Sequence, residues 1–388
     1  MVSRADVTTA AGRGRWLAVY AAAALLAGAC TGGTPPGDDS RRPPAAETAG
    51  PSAAARPGMV RAARVPTPRV AGTVAEGLTT PWGLAFLPDG SALVSERDTG
   101  RIKRVTSGGQ IMTVGQVPGV APGGEGGLLG IAVSPNYRRD RLLYAYFTAA
   151  EDNRVVRMTY HGGRLGAPQP VVTGIPKGHI HNGGRIRFGP DGMLYIGTGE
   201  SGDRPLSQDL GSLGGKILRV TPEGKPAPGN PFNRAPLVYS YGHRNVQGLA
   251  FDSGGRLWAA EFGQNTWDEL NLIKSGQNYG WPHVEGKGDR PRYRDPVAQW
   301  GTAEASPSGI AIKGDVVYLA ALRGSRLWQV PIQGDTAGKP REFFTREYGR
   351  LRTVEVAPDG SLWVITSNTD GRGSPRRGDD RILRVVLD

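Results

Sequence analysis

One pattern returns six times along this chain, and it constrains the fold more than any other feature. An apolar strand of Gly-Leu-Ala-Phe type is followed by a turn of Pro-Asp-Gly type and a second apolar strand. The first copy runs Trp82-Gly83-Leu84-Ala85-Phe86-Leu87-Pro88-Asp89-Gly90, then Ala92-Leu93-Val94-Ser95-Glu96. Others begin at Gly130-Ile131-Ala132-Val133, Arg185-Ile186-Arg187-Phe188, Gly248-Leu249-Ala250-Phe251, Gly309-Ile310-Ala311-Ile312 and Val354-Glu355-Val356. Asp-Gly and Gly-Gly turns between apolar runs are strong hairpin signals. A unit of three or four strands cannot bury both of its faces alone, so such units stack around an axis. An all-β, six-bladed β-propeller over residues 70–388 is therefore expected. A sandwich is the alternative, and six similar units argue against it. The copies are unevenly spaced: long gaps separate Gly130 from Arg185 and Gly248 from Gly309. Extra loops on one face of a rigid ring are where ligand sites tend to lie.

The repeats do not begin at once. Arg13 and Arg15 precede an apolar run from Trp16 to Leu26, and Ala27-Gly28-Ala29 leads into Cys30, the only cysteine. This reads as an export signal over residues 1–30 with a lipobox-like end. Cys30 is then the lipidated N-terminus and the only membrane attachment of an exported, extracytoplasmic lipoprotein. Simple cleavage into a secreted form and an uncleaved anchor stay open. A single cysteine permits no intramolecular disulfide. Residues 31–69, rich in Pro, Gly and Ala without apolar periodicity, read as a disordered tether.

The net charge of +12 raises nucleic acid, an anionic membrane surface or an acidic small ligand as partners. No zinc-finger spacing or RNA-binding aromatic signature is present, and the arginines are scattered, so no nucleic-acid partner is expected. Nucleophile-elbow, phosphate-loop and dinucleotide signatures are also missing. Three polar clusters remain in the loops between blades. His179-Ile180-His181-Asn182-Gly183-Gly184-Arg185 holds two of the five histidines. A histidine at a strand entrance suits a general base, or is an ordinary surface histidine. Gly242-His243-Arg244-Asn245 offers charge and directional hydrogen bonds to a carbonyl or carboxylate, or a structural arginine bridging blades. Glu261-Phe262-Gly263-Gln264 through Asp268-Glu269, followed by Asn278-Tyr279-Gly280-Trp281-Pro282, offers carbonyls and carboxylates that suit calcium. Alternatively, Asp268 and Glu269 simply begin a turn.

Together these clusters, with Glu125-Gly126-Gly127-Leu128-Leu129-Gly130, resemble the soluble glucose and aldose sugar dehydrogenases that depend on pyrroloquinoline quinone (PQQ). The resemblance covers residues 70–388 and implies a quinoprotein oxidoreductase that converts aldoses at the anomeric carbon to lactones. By that resemblance His181 is the base that takes the anomeric hydroxyl proton while hydride passes to the quinone C5 carbonyl. Arg244 and Asn245 contact the quinone, and Glu125 lies near it. Arg323, in place of a family lysine, and Arg350 and Arg352 bind the carboxylates of PQQ. The backbone carbonyls of Gly263 and Gln264 hold the Ca2+ that chelates PQQ. Asp268, Glu269 and Tyr279 hold a second, structural calcium. The glucose-type enzymes carry an aspartate beside the base where this chain has Ile180. The chain is also shorter than they are, which points to broadly specific aldose relatives. The sequence leaves the natural sugar, the electron acceptor and the oligomeric state open, with a monomer or weak dimer as the expectation. Two other readings remain: a non-catalytic propeller that binds a protein or glycan, and a calcium-dependent lactonase, which needs acidic side chains around an axial metal.

Overall fold

A computed structural model describes residues 65–388. The export signal, Cys30 and the tether up to residue 64 lie outside the described residues. Six antiparallel sheets make up nearly all of the rest, as the repeat predicts. The innermost strands are Pro81–Phe86, Leu128–Val133, Ile186–Phe188, Val246–Phe251, Pro307–Lys313 and Leu351–Val356. Each continues into a second strand: Ala92–Glu96, Leu142–Thr148, Leu194–Gly197, Leu257–Glu261, Val316–Ala321 and Leu362–Thr366. All six repeats therefore locate an inner strand and its hairpin partner. Among the described residues no helix is long and apolar enough to cross a membrane.

The last blade is closed by the front of the chain. Its outermost strand, Pro68–Ala75, pairs antiparallel with Ile382–Leu387. The Thr67 N–H donates to the Asp388 carbonyl at 2.8 Å. The propeller thus starts slightly ahead of the expected residue 70, and residues 65–69 belong to it rather than to the tether. A strand paired this way carries no local signal of its own, because its partner lies some three hundred residues away.

Five of the six second strands are buried along their whole length, for example Leu257–Glu261 and Val316–Ala321, and in Leu142–Thr148 only Leu142 is half-buried. Alternation is lost because both faces of each blade are covered by neighbouring blades, so every position meets apolar atoms. Trp82, Tyr144, Tyr146, Ile186 and Leu218, from three consecutive blades, share one such layer.

The glycine that opens the repeat has a packing reason. An added Cβ at Gly83 would lie 2.9 Å from the Leu129 carbonyl of the next inner strand. One at Gly309 would lie 2.8 Å from the Thr353 Cα. Gly130 and Gly248 face the following strand in the same way. Bare backbone is what allows the inner strands to meet around the axis. The third and sixth copies depart from glycine with Arg185 and Thr353, and these two meet across the axis: Arg185 Nη2 donates to Thr353 Oγ1 at 3.0 Å. Arg185 Nε donates to the Gln247 carbonyl at 2.7 Å, and its guanidinium lies 4.2 Å over the Trp82 ring. Burial pushes its pKa down to about 9. A cation therefore occupies the axis where a metal-dependent lactonase would need carboxylates.

Candidate active site

Antiparallel pairing puts the start of each inner strand and the end of its partner at the same end of the blade. The polar clusters sit at those positions. They share one face of the ring, although the chain separates them widely.

His181 has φ +56°, in the left-handed region that a non-glycine residue enters only when held there. Several bonds hold it. Its N–H donates to Glu125 Oε2 at 2.9 Å, and its carbonyl accepts from Ser201 N at 3.0 Å. The next turn is fixed by Gly183 N, which donates to Asn245 Oδ1 at 2.9 Å. The imidazole is buried, with Nδ1 hydrogen-bonded to Glu200 Oε1. Glu200 is itself 1% exposed, and its other oxygen has no partner among the described residues. A carboxylate thus stands beside the imidazole although position 180 is Ile, and it comes from three residues beyond the second strand of the same blade. The Gly197-Thr198-Gly199-Glu200 run follows a recognised repeat, but nothing local marks a glutamate there as a partner of His181.

Arg244 joins this group through the backbone: Glu200 N donates to the Arg244 carbonyl at 3.0 Å. Its guanidinium lies 5.4 Å over the Trp281 ring, and Nη1 reaches the Phe262 carbonyl at 3.4 Å. Burial lowers its pKa, while Glu200, Glu285, Glu125 and Asp268 oppose that shift. Behind it, Glu261 accepts from Arg244 N at 2.8 Å and pairs with His243 Nδ1 at 2.8 Å. Asn245 is fully buried, so its side chain braces the His181 loop from beneath. Lys216, also fully buried, donates to the carbonyls of Leu206, Ser207 and Gly214, which secures the loop that follows Glu200. Burial pushes its pKa down to about 7.

A cavity of about 370 Å³ opens on the same face. Glu125, Arg323, Arg350 and Arg352 line it, as do Arg97 and Arg372. Asp370 pairs with Arg350 at 3.0 Å and with Arg352 at 3.5 Å. Arg372 reaches across from the last blade to Glu125 Oε1 at 2.8 Å. Burial raises the Glu125 pKa, but the His181 N–H and the Arg372 charge outweigh it, so the carboxylate stays below its ordinary value. Glu125 therefore links the cavity wall to the His181 backbone. Arg97, Glu200, Asp370 and Arg372 carry no signal in the sequence, because their roles arise only from tertiary contacts, within one blade for Glu200 and Asp370 and between blades for Arg97 and Arg372.

Gly263 and Gln264 lie in a loop whose N–H groups turn toward one carboxylate. Glu285 Oε1 accepts from Gln264, Asn265, Thr266 and Trp267 at 2.7 to 3.1 Å. Among the described residues neither the Gly263 nor the Gln264 carbonyl accepts a hydrogen bond. That suits donors for a hard cation. Glu269 and Tyr279 line one small recess together with Gly263 and Glu285, and Asp268 is not part of its wall. Asp268 accepts from Gly263 N at 3.0 Å and Ser306 N at 2.6 Å. Glu269 accepts from Gly286 N at 2.7 Å and from Asn271 at 2.9 Å. The Tyr279 hydroxyl donates to the Leu272 carbonyl at 2.8 Å. Burial, then the Glu261 charge, raises Glu269 to about 8. Among the described residues no three His, Cys, Asp or Glu side chains are grouped to hold a metal.

The chain matches the glucose/sorbosone dehydrogenase family over residues 78–383. It is 31% identical over 338 residues to an aldose sugar dehydrogenase of Escherichia coli, covering 77% of this chain and 91% of that protein. It is 33% identical over 256 residues to quinoprotein glucose dehydrogenase B of Acinetobacter calcoaceticus, covering 57% of this chain and 54% of that one. Among solved structures, the PQQ-bound aldose sugar dehydrogenase from Streptomyces coelicolor superposes with a TM-score of 0.81 at 61% identity. That match covers 83% of this chain and 98% of the other.

Proposed function

The chain belongs to the glucose/sorbosone dehydrogenase family, and from that premise we propose that it is a PQQ- and calcium-dependent oxidoreductase that oxidises aldoses at the anomeric carbon to lactones. The observation that carries this reading is the union of two things through Glu125: a carboxylate-oriented imidazole and an arginine-lined cavity.

The residues fit a flat tricarboxylate. Arg323, Arg350 and Arg352 line one cavity and offer it charge-assisted hydrogen bonds. The Nε atoms of Arg244 and Arg352 are buried without a partner among the described residues. An anion there offsets the desolvation of two buried cations, Arg244 and Arg352. The Gly263 and Gln264 carbonyls would hold the calcium. When bound, PQQ with its calcium supplies the two-electron sink for a hydride from the sugar.

The remaining chemistry falls to the chain. Nδ1 of His181 is engaged by Glu200, which leaves Nε2 to take the proton of the C1 hydroxyl. As that proton arrives the imidazole becomes a cation, and the Glu200 carboxylate stabilises it at close range in a buried setting. The sugar loses one proton to Nε2 and one hydride from C1, so C1 becomes the lactone carbonyl. Arg244 steadies negative charge that develops on oxygen. Burial around His181 and Arg244 limits competing water.

The direct test is reconstitution with PQQ and CaCl2, followed by dye reduction with a panel of aldoses. Reduction that needs PQQ and is lost on calcium chelation is expected. Failure to bind PQQ together with failure to reduce the dye would sink the reading. Lactone hydrolysis without PQQ would favour the hydrolase alternative. Changing Glu200 to Gln is expected to lower kcat by roughly 10²-fold or more, since the imidazolium loses its charge partner and its orientation. PQQ affinity should stay unchanged in that variant, as measured by equilibrium titration.

A further inference from the structure

Beside the cavity, on the same face, lies a second recess of about 330 Å³. It shares Arg323, Arg350 and Arg372 with the cavity and adds Arg346 and Arg376. No carboxylate lines it. Two of the five arginines are neutralised nearby: Arg350 by Asp370, and Arg372 by Glu125. Among the described residues the Arg376 side chain donates only to a backbone carbonyl, that of Glu347, at 3.1 Å. The side chains of Arg323 and Arg346 form no ion pair among the described residues. Asp379 stands close by, but its oxygens already accept from Arg381 Nε, Arg376 N and Asn368 Nδ2.

The recess is held in shape by tight backbone contacts. A Cβ at Gly373 would lie 2.5 Å from the Asn368 carbonyl oxygen, so the loop that carries Arg372 and Arg376 is pressed onto the end of the preceding strand. On the other side, Arg346 has φ +62° and its N–H donates to the Ser325 carbonyl at 2.7 Å. Both arginine-bearing loops are thus anchored by backbone while the arginines themselves stay exposed. Three exposed cations facing one recess without a carboxylate create a local positive potential that attracts an anion.

We propose that this recess, whose own cations are Arg346 and Arg376 and which shares Arg323 with the cavity, is an anion site that binds a carboxylate or phosphate group of a molecule coming to the cavity. It differs from the inner wall, where Asp370 already compensates Arg350 and Arg352. The anionic group has two possible sources, an acidic sugar such as a uronic acid or an anionic electron acceptor. Only the choice between them rests on the function proposed above.

The test uses the double variant Arg346→Ala with Arg376→Ala. Both side chains are exposed and neither belongs to the proposed catalytic machinery, so thermal unfolding should be unchanged. Calorimetric titration of inorganic phosphate into the cofactor-free protein at low salt reads the recess without catalysis. Affinity at least about tenfold weaker in the variant is expected, and higher salt should weaken the wild type toward it. Identical isotherms would overturn the site. With PQQ loaded, glucose is compared with glucuronic acid as substrate, and ferricyanide with a cationic phenazine dye as acceptor. A KM raised about tenfold for glucuronic acid alone assigns the recess to the sugar, and one raised for ferricyanide alone assigns it to the acceptor. Equal KM values for all four in both proteins overturn the proposal. If the loaded wild type oxidises no sugar, the dehydrogenase reading fails, and the phosphate titration still decides the recess.

Discussion

Changing His181 to Gln is expected to lower kcat by roughly 10³-fold, at the upper part of what a positioned proton acceptor contributes. The amide has similar length but no basic nitrogen, so the sugar proton has nowhere to go as hydride departs. PQQ should still bind, because the arginines that line the cavity do not depend on the His181 side chain. The backbone bonds from His181 N to Glu125 and from Ser201 N to the His181 carbonyl also survive the change. Single-turnover reduction of the PQQ-loaded variant by a saturating aldose separates the two effects. Normal cofactor absorbance with slow bleaching fits the assignment, and wild-type bleaching would remove His181 from the mechanism. The variant differs from Glu200→Gln in kind, since the latter keeps the base and removes only its partner.

The second large effect concerns the fold. Gly309→Val should destabilise the propeller by about 3 kcal/mol or more. An ordinary overpacked core site relaxes by moving side chains. Here the new atoms meet the Thr353 Cα at 2.8 Å and the Arg352 carbonyl at 3.1 Å, both backbone. Relief then requires inner strands of adjacent blades to separate, which also loosens the bonds of Arg185 to Thr353 and to the Gln247 carbonyl. The matching control is Gly108→Val, where an added Cβ would meet only Thr106 Oγ1 at 3.9 Å. That change should shift stability by no more than about 0.5 kcal/mol. Denaturant midpoints for the two variants measure the difference. Equal midpoints would show that the hub is not close-packed at this glycine.

The six inner strands and their hairpins were legible in the chain because each rests on local chemistry. An Asp-Gly or Gly-Gly turn between apolar runs selects the hairpin whatever the rest of the protein does. The boundary near residue 70 was less legible, since Pro68–Ala75 becomes a strand only by pairing with Ile382–Leu387. In the site, His181, Arg244, Arg323, Arg350 and Arg352 stood out through motifs and resemblance, and the fold brings them to one face. The calcium positions divide. The loop at Gly263 and Gln264 presents free carbonyls, whereas the side chains of Asp268, Glu269 and Tyr279 are bound to backbone and neighbouring groups.

Local turn chemistry and a sixfold repeat were enough, by themselves, to specify blades, their number and the loops that carry polar residues. Only the folded blades and their closure into a ring decided which of those residues act together. Glu200 became the partner of His181, Asp370 the counter-ion of two arginines, and Arg185 the axial plug paired with Thr353. The reason is one of range: a hairpin is stabilised by contacts a few residues apart, whereas a buried charge is made tolerable by groups that only folding brings near.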